Sequence, residues 1–113
     1  MILNMILLRI MKVTYMKKFF SRDYWIIKHS GLFDAEYYLR TYPDVRQADV
    51  DPVWHYSRYG WQEGRNPSEK FHTCFYLMLY PDIKEAYVNP LAHFLRYGLT
   101  ENRKIKSSIL DKS

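Results

Sequence analysis

The side chains best equipped for chemistry come in pairs. His55 and His93, Asp44 and Asp82, Glu63 and Glu101, and Arg65 and Arg103 each stand 38 positions apart. An imidazole with carboxylates and a guanidinium is a set that can move protons or hold an anion. Catalysis, however, needs different groups converging on one reacting atom, with a base beside its nucleophile. Copies at a fixed separation more naturally repeat one structural task. His55 is expected to bond the backbone of the preceding turn, and Asp44 to favour a helix start. Glu63 and Arg65 are expected to tie one segment to the next across a loop. A metal shared by His55 and His93 is disfavoured, because neither has a second histidine three or four positions away, as on a metalloprotease helix.

Other chemistry finds little footing. There is no Gly-x-Ser-x-Gly elbow, phosphate-binding glycine loop or dinucleotide fingerprint among only four glycines. The one cysteine, Cys74, rules out an internal disulfide and a cysteine-built zinc site. Beside Phe75 and Tyr76 it reads as a small core residue rather than a reactive thiol. No catalytic residue, metal or cofactor is expected.

The pairs belong to an internal repeat. At an offset of 38, residues 33–65 match residues 71–103 without gaps, and 15 of those 33 positions are identical. The matches include Tyr42-Pro43-Asp44 with Tyr80-Pro81-Asp82 and Arg58-Tyr59-Gly60 with Arg96-Tyr97-Gly98. Self-similarity at this period marks stacked supersecondary units. The expected organisation is an N-terminal helix or cap over 1–29, a two-unit domain over 30–103 with units of about 33–70 and 71–103, and a polar tail over 104–113.

Each unit reads as three short helices, so the fold class is all-α. Asp34 is an N-cap, and Phe33 with Tyr38 a hydrophobic staple. Pro43 ends the first helix near Thr41 or Tyr42 and opens a second, which runs to about Ala48. Asp51-Pro52 starts the third, and Gly60 is expected to close it in a left-handed conformation. Asn89, Pro90 and Gly98 repeat that device, while His72 in place of Asp34 gives unit two a weaker first cap. Aromatic residues are 18% of the chain, and their large buried areas suit helices too short to be stable alone. Most rings are expected in the core. Trp61, after Gly60 and opposite Leu99, is the candidate for an exposed ring stacking on a sugar, and His55, His93, Arg65 and Arg103 complete the expected binding surface.

The formal charge of +5 is unevenly placed. Residues 1–32 carry +5, residues 33–103 carry −2 and residues 104–113 carry +2. A folded basic face for nucleic acid is therefore not expected. No apolar run reaches the ~20 residues of a membrane span. Residues 1–20 mix apolar residues with scattered basic ones and lack the charge order of a cleaved signal. Three readings stand for them: a cap on the array, a basic anchor on an anionic membrane surface, or an artefact of a start assigned at Met1 instead of Met5, Met11 or Met16.

The run Gly31-Leu32-Phe33-Asp34, Tyr37-Tyr38-Leu39 and Tyr42-Pro43-Asp44-Val45 is followed by Asp51-Pro52, His55-Tyr56, Tyr59-Gly60 and Glu63-Gly64-Arg65-Asn66-Pro67-Ser68. Together they resemble a tandem helical repeat that accompanies bacterial glycosyltransferase and rhamnan-synthesis domains. The resemblance covers about residues 30–103. It implies a non-catalytic module in cell-surface polysaccharide biosynthesis (O-antigen, capsule or rhamnan) that binds a glycosyltransferase domain or a glycan. A cytoplasmic location is expected, with the basic residues of 1–20 able to touch the inner face of the membrane. The alternatives are a small peripheral membrane adaptor or a fragment of a longer glycosyltransferase. Unit two departs from the pattern at His72, Thr73 and Asn102, the last where glycine is expected, which leaves its capping and loop geometry open. The sugar-nucleotide domain of such an enzyme is not in this chain, and Asp49-Val50-Asp51 imitates its metal motif only in letters.

Overall fold

The computed structural model describes residues 21–105. The expectations for residues 1–20 and 106–113 lie outside the described residues. Those described are all-α: seven short helices and no strand beyond an isolated bridge between Ser68 and Phe71.

Helix α1 (Arg22–Lys28) starts where the Ser21 hydroxyl accepts the Tyr24 amide at 3.3 Å. Asp23 in its first turn and Lys28 in its last oppose the helix dipole, and the face carrying Tyr24 and Ile27 is buried. Helix α2 (Ala35–Thr41) begins at Asp34, whose carboxylate accepts the Tyr37 amide at 3.0 Å. Phe33 meets Tyr38 at 5.3 Å between ring centroids, as a staple should. Pro43 then opens α3 (Pro43–Ala48), which stops at Asp49 in the left-handed region with φ +54°. Helix α4 (Pro52–His55) begins under a double cap, with Asp51 Oδ1 accepting the amides of Val53 and Trp54 at 2.8 and 3.2 Å. The same devices return 38 residues later as α5 (Thr73–Leu79), α6 (Pro81–Ala86) and α7 (Pro90–His93).

Gly60 does not end its helix by turning left-handed. The chain passes from α4 into a wide turn with i→i+5 bonds over Tyr56–Gly60, and Trp61 beyond it is still right-handed at φ −62°. The glycine is required by close approach: a Cβ there would overlap the Tyr38 hydroxyl. Gly98 sits in the equivalent turn over Phe94–Gly98, where a Cβ would lie 2.6 Å from Phe94 Cδ1 and 3.0 Å from the Tyr76 hydroxyl. The left-handed position lies four residues later, at Gly64 with φ +75°. Asn102 fills that role in unit two with φ +55°. Asparagine tolerates this region through its short polar side chain. The loop geometry left open for unit two is therefore that of unit one: Arg65 N bonds Gly60 O and Arg103 N bonds Gly98 O, both at 2.9 Å. His72 gives no side-chain cap, but its amide bonds Ile105 O at 3.0 Å, as the Asp34 amide bonds Pro67 O at 2.9 Å. Each segment is clasped end to start by one backbone bond.

Stacking follows one rule with two donors. Between the segments, Tyr56 Oη meets Thr73 Oγ1 at 2.9 Å, and Thr73 Oγ1 donates to the carbonyl of Arg65 at 2.6 Å. Tyr56 therefore donates, and Thr73 relays the bond at 0% exposure. At the same junction Asn89, the cap of α7, donates from Nδ2 to the carbonyl of Ser57 at 3.2 Å. Helix α1 spans the two segments: it packs on both α4 and α7, and Tyr24 donates to Asp51 Oδ2 at 2.7 Å. Asp faces a hydroxyl donor and Asn faces a carbonyl acceptor, so each cap residue has the chemistry its neighbour needs. The core joins Tyr24, Ile27, Tyr38, Val45, Tyr56, Phe71, Tyr76, Leu91 and Phe94 in one cluster. Cys74 is not part of it; it is exposed, with Sγ 3.7 Å from the carbonyl of Gly64.

Candidate functional site

The duplicated polar residues assemble into two copies of one cluster. In the first, α2 supplies Tyr38, α3 supplies Asp44, α4 supplies His55, and the loop after the wide turn supplies Glu63 and Arg65. His55 Nδ1 lies 2.7 Å from the Tyr38 hydroxyl, so the imidazole bonds a side chain of α2 and not, as expected, the backbone of the preceding turn. Arg65 forks onto Asp44 at 2.9 and 2.7 Å and lies over the Tyr42 ring at 4.8 Å from its centroid. Glu63 stands 3.6 Å from Arg65 and 3.8 Å from His55 Nε2. The Tyr42 hydroxyl accepts the amide of Asn66 at 2.8 Å. The Glu63 and Arg65 side chains therefore close their own segment, and the bond to the next runs through the Arg65 carbonyl.

The second cluster copies this with one difference. Tyr76 Oη is 2.9 Å from His93 Nδ1, and Arg103 covers the Tyr80 ring at 4.5 Å. Arg103 reaches Asp82 at 3.1 and 3.4 Å but also takes Glu101 at 3.1 and 3.3 Å, so its carboxylate turns to the guanidinium.

Burial, with the nearby arginine second, pushes both His55 and His93 below the usual imidazole range. Burial likewise raises the Tyr38 phenol, and lifts Tyr76 to about 12. The bonds from Arg65 and Arg103 hold Asp44 and Asp82 below the usual carboxylate range. At neutral pH each imidazole is uncharged and each phenol protonated, so the phenol can donate to Nδ1. Such a pair has the distance for proton transfer, yet Tyr38 and Tyr76 are 0% exposed, and no substrate reaches the hydroxyls. Among the described residues no buried side-chain polar atom lacks a partner, and no three His, Cys, Asp or Glu side chains converge as a metal-holding group. The letters Asp49-Val50-Asp51 are likewise spent on a helix end and a helix start.

Trp61 differs from its expected role. It is only 8% exposed, and its ring meets Tyr87 edge-on at 5.3 Å, because the second segment lies over it. Among the described residues the most exposed aromatics are Tyr87 at 68% and Tyr97 at 56%, ahead of Trp25 and Tyr59. Tyr87 and Tyr97 border a groove of about 700 Å³ between the first turn of α1, the end of α6 and α7. Arg22, Asp23 and Arg96 form its charged wall, with Arg96 2.7 Å from Asp23. Of the five residues expected at a binding surface, Trp61 and His93 line this groove; His55, Arg65 and Arg103 do not.

Tyr87 holds a left-handed backbone at φ +55° where the first segment has Asp49. For an aromatic residue that conformation costs roughly 1–2 kcal/mol. A bond to Gln62 Oε1 and the Trp61 contact hold it there. The signal was legible in the repeat as a departure: a bulky ring replaces a short polar residue just after a helix end.

Comparison with protein families, with curated proteins and with solved structures finds no match.

Proposed function

We propose that the chain is a non-catalytic helical repeat module of cell-surface polysaccharide biosynthesis, binding a glycosyltransferase or a glycan. The sequence resemblance supplies the biological setting. The observation that carries the non-catalytic part is that both Tyr–His pairs lie under 0% exposed phenols, with their carboxylates and guanidiniums bonded inside the chain. What meets solvent is a groove and exposed aromatic rings, which is a surface for recognition. No helix among the described residues is long and apolar enough to cross a membrane.

The test is affinity capture with the full chain from cells that make such a polysaccharide. A glycosyltransferase or the polysaccharide itself should be retained. Retention of neither overturns the reading.

A further inference from the structure

We infer that the groove between α1, α6 and α7 is a carbohydrate site, and that its ligand carries carboxylate groups. The inference deepens the glycan side of the proposed function and rests on that reading. Three features of the groove converge on it.

The first is the pair of rings. Tyr87 and Tyr97 stand largely exposed at the border of a concavity whose volume, about 700 Å³, falls within the usual range of small-ligand sites. Exposed phenol faces offer an apolar platform with a polar tip. A pyranose ring, apolar on its axial C–H faces and ringed by hydroxyls, is complementary to such a platform.

The second is charge. Arg22 is exposed, and Arg96 holds Asp23 through one nitrogen at 2.7 Å. Two guanidiniums therefore face one carboxylate along the wall, leaving a surplus positive charge. Guanidinium forks match carboxylates in planar, paired hydrogen bonds. The surplus favours a uronate-type sugar over a neutral one.

The third is asymmetry. The first segment has Asp49 where the second has Tyr87, so only the second segment builds the two-ring border. The ring is kept although its backbone is left-handed and its side chain is mostly in solvent. The Gln62 bond and the Trp61 contact fix the ring by one edge and its tip, and the largely exposed remainder is open to a stacked ligand.

The test uses the full chain labelled with ¹⁵N and two probes, trigalacturonate and maltotriose. Trigalacturonate should give saturable amide shifts centred on Arg22, Tyr87, Arg96 and Tyr97, and maltotriose should bind at least about tenfold more weakly. Tyr97→Ala and Arg22→Ala, both at exposed positions, should each weaken trigalacturonate about tenfold or more with the rest of the spectrum unchanged. Shifts absent from the groove with both probes, or unaltered by both variants, overturn the site. Equal binding of the two probes overturns the assignment of a carboxylate-bearing ligand. Affinity capture separates this from the reading it rests on: a retained glycosyltransferase with a silent groove sinks only the groove.

Discussion

The Tyr38 hydroxyl and His55 Nδ1 lie 2.7 Å apart, and the backbone of Gly60 comes close enough over the phenol that no Cβ fits between them. The wide turn after α4 exists to allow this approach. It brings the loop carrying Glu63 and Arg65 back over α2 and α3, where Arg65 takes Asp44. Glycine, histidine and tyrosine are thus one device, repeated as Gly98, His93 and Tyr76.

Gly60→Ala should therefore destabilise the chain by about 2–3 kcal/mol, through overpacking against a pinned phenol. Urea unfolding measures it. A loss below about 0.5 kcal/mol, within the range of ordinary surface changes, would contradict the packing argument.

The junction between segments makes a second prediction. Thr73→Val removes the relay and leaves the Tyr56 hydroxyl unpaired at 0% exposure, which should cost about 2–3 kcal/mol. Tyr56→Phe leaves Thr73 bonded to Arg65 O and should cost less, about 1 kcal/mol. Denaturant midpoints of the two variants give the order, and the reverse order would rule out Thr73 as relay.

The two cap residues should respond unequally to exchange. Asp51→Asn keeps an acceptor for the helix amides and turns a donor toward the Tyr24 hydroxyl, which can accept it. Asn89→Asp keeps the cap but sets a carboxylate against the Ser57 carbonyl. Thermal melts should show a clearly larger drop for Asn89→Asp, and equal drops would argue against the donor role of Asn89.

Acid sensitivity follows from the imidazoles. Both folded-state values lie below the ordinary 6.5, so the unfolded chain binds protons first as pH falls. Their contribution to stability is complete above about pH 6.5 and is lost as pH falls through that value toward the depressed ones. Asp44 and Asp82 act in the same direction in a lower window, below about pH 4. Melting temperature should fall between pH 7 and pH 5, and the fall should shrink in a variant lacking both histidines. A flat profile over that interval would show that the imidazoles are not held neutral by the fold.

Much of the architecture was legible because its signals are local. Asp34, Asp51 and Asn89 cap the helices they precede, and Pro43 and Pro81 divide the helices that they were expected to divide. Gly60 was misread because its reason is a tertiary approach by a residue 22 positions earlier, which spacing does not reveal. The burial of Trp61 escaped for the same reason, since the ring is covered by Tyr87 of the next segment. Cys74 sat among aromatic neighbours in sequence but on the outer face of its helix. The groove was hidden deepest, as it joins Arg22 to Arg96 and Tyr97, more than 70 residues along the chain.

That the duplicated Tyr–His clusters hold the fold is tested most directly by urea unfolding of His55→Gln and His93→Gln. Each should lose about 1–3 kcal/mol, because a buried phenol loses a well-placed partner. Wild-type stability in both variants would contradict it, leaving two imidazoles that the fold does not need.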